Sequence, residues 1–320
     1  MVFHLTHYDH ERRSGGEGVL RHLWLELTTK CNLQCVHCYA DASPHLPLFQ
    51  GLTTAHWIEV LREARAEGCR SVQFIGGEPL LHPDLEVLLR TARSLGYQDI
   101  EVFTNGTMLT PKWLELFVEL QVKVAFSFYA ASPEAHDAIT GVKGSYYRTL
   151  RGIDLALAAG LPVRVGIIQV TQTDVEVESA RKLLESRGVS HIGFDRMRRI
   201  GRADGDGFHA DPLEQLKELC GACHNGNLCV TATGQAYPCI MARAWPVGDI
   251  REGLRHVIYG QKLAEFRRTQ REFLANNPTA ACNPDDCSPY CNPNCSPYCS
   301  PYCNPNCKPF EGCSPRSPVW

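Results

Sequence analysis

From residue 21 to residue 196 the chain alternates short apolar runs with segments that bring an apolar residue round every three to four positions. The runs His22–Leu27, Ser71–Ile75, Asp99–Phe103, Lys123–Phe128, Val163–Val170 and His191–Phe194 have the length and composition of buried strands. Between them, residues 55–67, 84–95, 111–120, 145–159 and 174–187 follow helical spacing. Thr53, Thr54 and Ser132 offer side-chain oxygens to the free N–H groups of a first turn, and Gly68, Gly96 and Gly160 stand where helices stop. Six strand–helix units predict an α/β fold with a parallel sheet covered by helices, closed as a barrel or open and doubly wound. In either form, function belongs at the C-terminal ends of the strands.

The alternation ends near residue 200. Residues 200–211 (IGRADGDGFHAD) read as a linker or loop, followed by a small cysteine-containing unit over 216–250 and a helical stretch over about 251–275. The last forty residues repeat with a period of four: CSPY, CNPN, CSPY, CSPY, CNPN, CKPF. Proline in every repeat forbids a helix, and little there is apolar enough to bury. Such a tail is expected to be disordered or held by what its cysteines bind. The expected division is an N-terminal extension (1–20), a barrel (21–200), an auxiliary unit (201–275) and a Cys-Pro tail (276–320).

Composition narrows the chemistry. The 320 residues are 44% hydrophobic and 21% charged with net charge −3, so no general attraction to nucleic acid or anionic membrane is expected. No window approaches 18 uninterrupted apolar residues, and the N-terminal MVFHLTHYDHERR is polar; a cytoplasmic protein is expected. The anomaly is cysteine. Of 16, three lie at 31–38, one at 69, four at 220–239 and eight at 282–313. In a reducing compartment, clustered thiols point to metal or iron–sulfur ligation rather than disulfides. Cys69, alone, reads as a buried structural thiol.

The first group, TTKCNLQCVHCYA, directly follows the first strand. A 4Fe–4S cluster normally takes four thiolates. Cys31, Cys35 and Cys38 supply three, which leaves one iron an open position, as catalytic metals require. A zinc loop completed by His37 or a distant cysteine is the alternative, as is a chance grouping. The loop resembles the CxxxCxΦC signature of the radical S-adenosylmethionine (SAM) superfamily. Gly76-Gly77-Glu78-Pro79 after the second strand resembles the family's GGEP motif, and Thr104-Asn105-Gly106 after the third resembles its TNG segment. The match spans about residues 20–200 and implies a partial (β/α)6, TIM-like barrel.

The resemblance also implies roles. SAM would chelate the open iron; Gly76 and Gly77 would let backbone approach its methionine part; Glu78 would accept from its amino group. Pro79, Thr104 and Asn105 fall in the same cofactor-binding segments. His37, at the Φ position, or Tyr39 would lie near adenine, and Ser127 and Gln169 could reach ribose or adenine. Against these stand plainer readings: a packed histidine, strand-end caps, a loop carboxylate. The implied chemistry is reductive cleavage of SAM to a 5′-deoxyadenosyl radical that takes hydrogen from an unactivated carbon. No Ser–His–Asp triad or paired-carboxylate site is expected, and no catalytic side chain is assigned.

The second group, CGACHNGNLCVTATGQAYPC, places Gly234 five residues before Cys239, with Cys220, Cys223 and Cys229 upstream. This resembles the start of a SPASM or twitch auxiliary domain, and Val247-Gly248-Asp249-Ile250 resembles its GN(I/V) segment. Gly234 allows a hairpin that brings cysteines on two strands together. The usual downstream pattern is replaced by Cys282, Cys287, Cys291, Cys295, Cys299, Cys303, Cys307 and Cys313. One or two auxiliary 4Fe–4S clusters, or more, are implied; a zinc-scavenging tail is the alternative. Members with this domain commonly modify ribosomally made peptides by crosslinking, oxidation or epimerisation in natural-product biosynthesis. The competing functions are a dehydrogenase, epimerase or decarboxylase of an aminocyclitol or sugar nucleoside, and a non-catalytic metal scaffold. Expected partners are a precursor peptide or small molecule and an electron donor such as flavodoxin or ferredoxin. Only about 20 residues precede the first strand, so a separate protein would present the peptide.

Overall fold

Strand β1 (His22–Glu26) turns Leu23 and Leu25 to one face and Trp24 to the other, as period-two side-chain alternation requires. Strand β2 (Ser71–Ile75) repeats this, with Val72 and Phe74 in the large core and Ile75 beside Trp24. The large core lies under the helices; the second face looks into the space where the strands curl. The computed structural model describes residues 20–205 and 212–277. The N-terminal extension and tail cysteines Cys282 to Cys313 lie outside the described residues.

Strands β3 (Asp99–Thr104), β4 (Lys123–Phe128), β5 (Val163–Gln169) and β6 (His191–Arg196) continue the sheet, every neighbouring pair from β1 to β6 parallel. The crossovers carry α1 (Thr54–Ala66), α2 (Leu85–Ser94), α3 (Pro111–Glu119), α4 (Pro133–Thr140), α5 (Ser145–Ala158) and α6 (Asp174–Ser186). Thr53 caps α1 and Thr173 caps α6, each in a reciprocal capping box. Ser132 starts α4, a short helix that apolar spacing alone does not reveal; it ends at Gly141, φ +70°. The full strand order is β6-β5-β4-β3-β2-β1-β7-β8-β9, so β6 is an edge and the six strands form an open, partial barrel.

Beyond residue 211 come α7 (Pro212–Lys217) and strands β7 (Asn227–Val230), β8 (Gln235–Tyr237) and β9 (Gly248–Asp249). Strand β7 pairs parallel with β1, His22 opposite Asn227 and Leu25 opposite Val230. Strand β8 turns back antiparallel to β7 at Gly234, and β9 adds antiparallel to β8. The cysteine-containing segment thus extends the barrel's own sheet. The helical stretch after it divides into α8 (Leu254–Ile258) and α9 (Gln261–Asn276). Of the expected linker, residues 201–204 form a tight turn packed on the first cysteine loop, and 206–211 lie outside the described residues. No described helix is long and apolar enough to cross a membrane.

Candidate active site

The loop after β1 is strapped to the end of β2. Gly77 N donates to Thr28 O at 2.6 Å and Glu78 N to Lys30 O at 3.0 Å, while Cys31 N donates to Ser43 O at 3.1 Å. The approach is so close that a Cβ on Gly77 would stand 2.3 Å from Lys30 O, and one on Gly76 2.5 Å from Thr28 O. The two glycines therefore make room for residues 28–30 of the chain itself. Gly77→Ala is expected to destabilise the protein by about 3 kcal/mol, since backbone cannot yield as a side-chain tip can. Denaturant melts check this; an unchanged midpoint would show that the strap gives way freely.

Cys31, Cys35 and Cys38 share a small buried cluster with Leu33, Ala42 and Val142. Donors converge on their sulfurs. Leu33 N and Ala42 N reach Cys31 Sγ and Cys38 Sγ, each at 3.3 Å, and Asn105 Nδ2 reaches Cys31 Sγ at 3.7 Å. The Tyr129 hydroxyl donates to Cys35. Burial pushes the Cys35 thiol up to about 12 and raises Cys31 and Cys38 as well. The loop is fastened to α4 by Gln34 N to Thr140 O and Val36 N to Ile139 O. It is fastened on the other side by Arg202, which donates to Cys35 O at 2.5 Å and Ala42 O at 2.7 Å, and whose N–H reaches Cys38 O at 3.0 Å. Gly201, at φ +62°, permits this: a Cβ there would stand 2.5 Å from Cys38 O. Arg202 escapes sequence reasoning because its surroundings look like a linker.

Glu78 is fully buried. Its Oε1 accepts from Thr104 Oγ1 at 2.7 Å and Leu80 N at 3.0 Å, and its Oε2 from Asn105 N at 2.9 Å. Pro79 opens the short turn that this carboxylate caps. All three donors are neutral, and Glu78 has no ion-pair partner among the described residues. Burial pushes its carboxyl up to about 7. The Asn105 side chain turns away from Glu78, toward Asn32, Thr107 and Cys31.

The remaining candidates separate. The His37 ring packs edge-on against Tyr129, centroids 5.0 Å apart, with burial and Arg202 holding its pKa down at about 4. Tyr39 instead faces Arg243, which lies between the Tyr39 and Tyr237 rings and pairs with buried Glu26. Ser127 hydrogen-bonds the Tyr129 hydroxyl. Gln169 donates to Gln172 O and Asp174 Oδ1, both at 2.9 Å, at the start of α6.

A sequence profile of the Radical SAM superfamily matches residues 25–184, half the chain. The chain belongs to that superfamily. The radical SAM chain is 31% identical over 172 residues to an AdoMet-dependent heme synthase of Methanosarcina barkeri (strain Fusaro / DSM 804), covering 53% of this chain and 49% of that protein. It thus spans about half the length of this curated relative. In fold it is similar to SuiB of Streptococcus suis, crystallised with precursor peptide SuiA: TM-score 0.65, 14% identity, 78% of this chain and 67% of that one. It is also similar to anSMEcpe with bound AdoMet: TM-score 0.60, 18% identity, 77% and 82% of the two chains. BtrN in complex with AdoMet and 2-DOIA follows at 0.50 and 16%, over 82% and 91%.

SAM and a 4Fe–4S cluster come with the superfamily, and the radical SAM site has the donors for them. Hydrogens aimed at three sulfurs suit thiolates better than thiols. A buried carboxylate with only neutral partners suits an ammonium group. Among the described residues, no three His, Cys, Asp or Glu side chains converge as on a single metal ion. A cubane asks for something else, each thiolate on its own iron.

The later cysteines form a second group, with Cys223, Cys229 and Cys239 buried and Cys220 at its exposed edge. Cys220, Cys223 and Cys239 line a small cavity with Trp24, Arg198, Asn227, Ile240 and Met241, and the Cys223 and Cys239 sulfurs lie 2.7 Å apart. A hydrogen bond from Cys223 draws the Cys220 thiol down and pushes its own up. Cys229, on β7, faces the same side of the sheet beside Glu26 and Arg243.

Proposed function

We propose that this chain is a SAM-cleaving enzyme of the SPASM or twitch type that modifies a ribosomally made peptide. The observation that carries SAM cleavage is the juxtaposition of three donor-surrounded thiols with the cation-free carboxylate of Glu78 at neighbouring strand ends. Bound there, the cluster and SAM supply one electron and a cleavable sulfonium, which together yield a hydrogen-abstracting 5′-deoxyadenosyl radical. Cys31, Cys35 and Cys38 would hold three irons, with the fourth left to SAM. Glu78 would bind the amino group, and His37 and Tyr129 would wall the far side. Cys220, Cys223 and Cys239, with Cys229 and tail thiols, would hold one or two auxiliary clusters that bind substrate or accept its electron.

The peptide reading is supported by the likeness in fold to SuiB, whose crystal holds a precursor peptide, and to anSMEcpe, crystallised with the Cp18Cys peptide. A small-molecule substrate is the second reading, favoured by the relationship in sequence to a heme synthase. Anaerobic reconstitution with iron, sulfide, SAM and titanium(III) citrate tests the chemistry: 5′-deoxyadenosine is expected. In a chain with Cys31, Cys35 and Cys38 all changed to Ala, that product disappears while four or eight irons per chain remain. No residual iron would remove the auxiliary clusters from the proposal. Co-expression with short reading frames flanking the gene then separates the substrates, a changed peptide mass favouring the first reading.

A further inference from the structure

Asn105 lies in a segment expected to touch SAM, yet its side chain is fully engaged by the chain. Its Oδ1 accepts from Thr107 N at 2.9 Å and Thr107 Oγ1 at 2.6 Å. A backbone N–H can only donate, so this contact fixes which end of the amide is oxygen. The NH₂ must then face the other way, where it donates to Asn32 Oδ1 at 2.9 Å and to Cys31 Sγ at 3.7 Å. Asn32 is held in turn by its own Nδ2 to Thr107 Oγ1, 2.7 Å. The Asn105 backbone is tied at both ends, N–H to Glu78 Oε2 at 2.9 Å and C=O from Thr149 Oγ1 at 2.8 Å. Little freedom is left for the amide to turn away from the sulfur.

We infer that Asn105 is a positioning residue that sets the reduction potential of the cluster on Cys31, Cys35 and Cys38 through its N–H···S hydrogen bond. This rests on the SAM-cleaving reading above. Reduction adds one electron, from the external reductant, to a cluster whose charge is shared with its sulfur ligands. A donor aimed at sulfur stabilises that added negative charge and so raises the potential. Leu33 N also donates to Cys31, at 3.3 Å, but a side-chain substitution leaves that backbone donor in place. Asn105 is therefore the removable part of the shell at this ligand.

The test is an anaerobic redox titration of the reconstituted full chain with titanium(III) citrate. It follows the electron-paramagnetic-resonance signal that changes on adding SAM, which singles out the cluster with an open iron. Asn105→Leu removes the donor. At one fixed potential its reduced-to-oxidised ratio is expected to fall about tenfold, equivalent to 59 mV for a one-electron couple. Iron per chain should stay the same. Should Asn105→Leu fail to load iron, Asn105→Asp decides, since it keeps acceptors for Thr107 but has no proton for the sulfur. It is expected to lower the ratio at least as far. A loaded variant with the wild-type potential overturns the inference alone. A wild-type chain without any 4Fe–4S signal overturns the parent reading and this inference with it.

Discussion

Cys35→Ala, reconstituted beside wild type, is expected to form no measurable 5′-deoxyadenosine, a loss of at least about a thousandfold or roughly 4 kcal/mol of barrier lowering. Cys35 sits where the Tyr129 hydroxyl donates to its sulfur and Arg202 grips its carbonyl oxygen. The backbone shape of the loop should survive, because Gln34, Val36 and Arg202 hold it by main-chain groups that alanine leaves intact. What disappears is one of three ligands, and two thiolates do not retain a cubane that ordinarily has four. Iron per chain should fall with activity. Cys69→Ala is the control: its buried thiol donates to Ser71 O, at the opposite end of β2, so it should cost some stability and leave SAM cleavage intact. An unchanged iron content in Cys35→Ala would sink the cluster assignment.

SAM binding is expected to weaken as pH falls below about 7. Burial raises the Glu78 carboxyl from 4.5 to about 7, and only the ionised form attracts an ammonium group. Below that pH, binding must first remove a proton, so affinity drops toward tenfold per pH unit. Glu78→Gln should bind SAM about 100-fold less tightly at pH 8, roughly 3 kcal/mol, and should lose this pH slope. The linkage to folding has the opposite sense. A carboxyl raised on folding contributes stability that is fully present below pH 4.5 and is lost as pH rises through about 7. SAM-free wild type should therefore lose stability relative to Glu78→Gln across that interval. Calorimetric titration at several pH values checks the binding, and melts of both chains check the linkage. A flat affinity profile in wild type, or the same slope in Glu78→Gln, would remove Glu78 from the amine site.

All six barrel strands begin where the apolar runs begin, at His22, Ser71, Asp99, Lys123, Val163 and His191; β1, β2, β4 and β5 are covered on both faces and so need near-continuous apolar runs, while β3 alternates and edge strand β6 is only partly buried. The cysteine triad and the GGEP and TNG segments were legible for a related reason: each is a short local string at a strand end. What escaped was non-local. The parallel pairing of β1 with β7 joins residues some two hundred positions apart, and no periodicity records it. The grip of Arg202 on the cysteine loop is equally distant, and Gly201 looks like linker until Cys38 O is seen beside it. Gly76 and Gly77 also serve the fold in a way no local string records, since the 28–30 backbone fills the space they leave.

The β1–β7 pairing has a temporal side. Strand β1 leaves the ribosome roughly 200 residues ahead of β7, about 10–40 s of synthesis. Throughout that interval one hydrogen-bonding edge of β1 is uncovered, a template on which foreign strands could add. The strand that leads into the three cysteines thus stays open along this edge through the synthesis of the whole barrel, and the segment bearing Cys229 is what shields it.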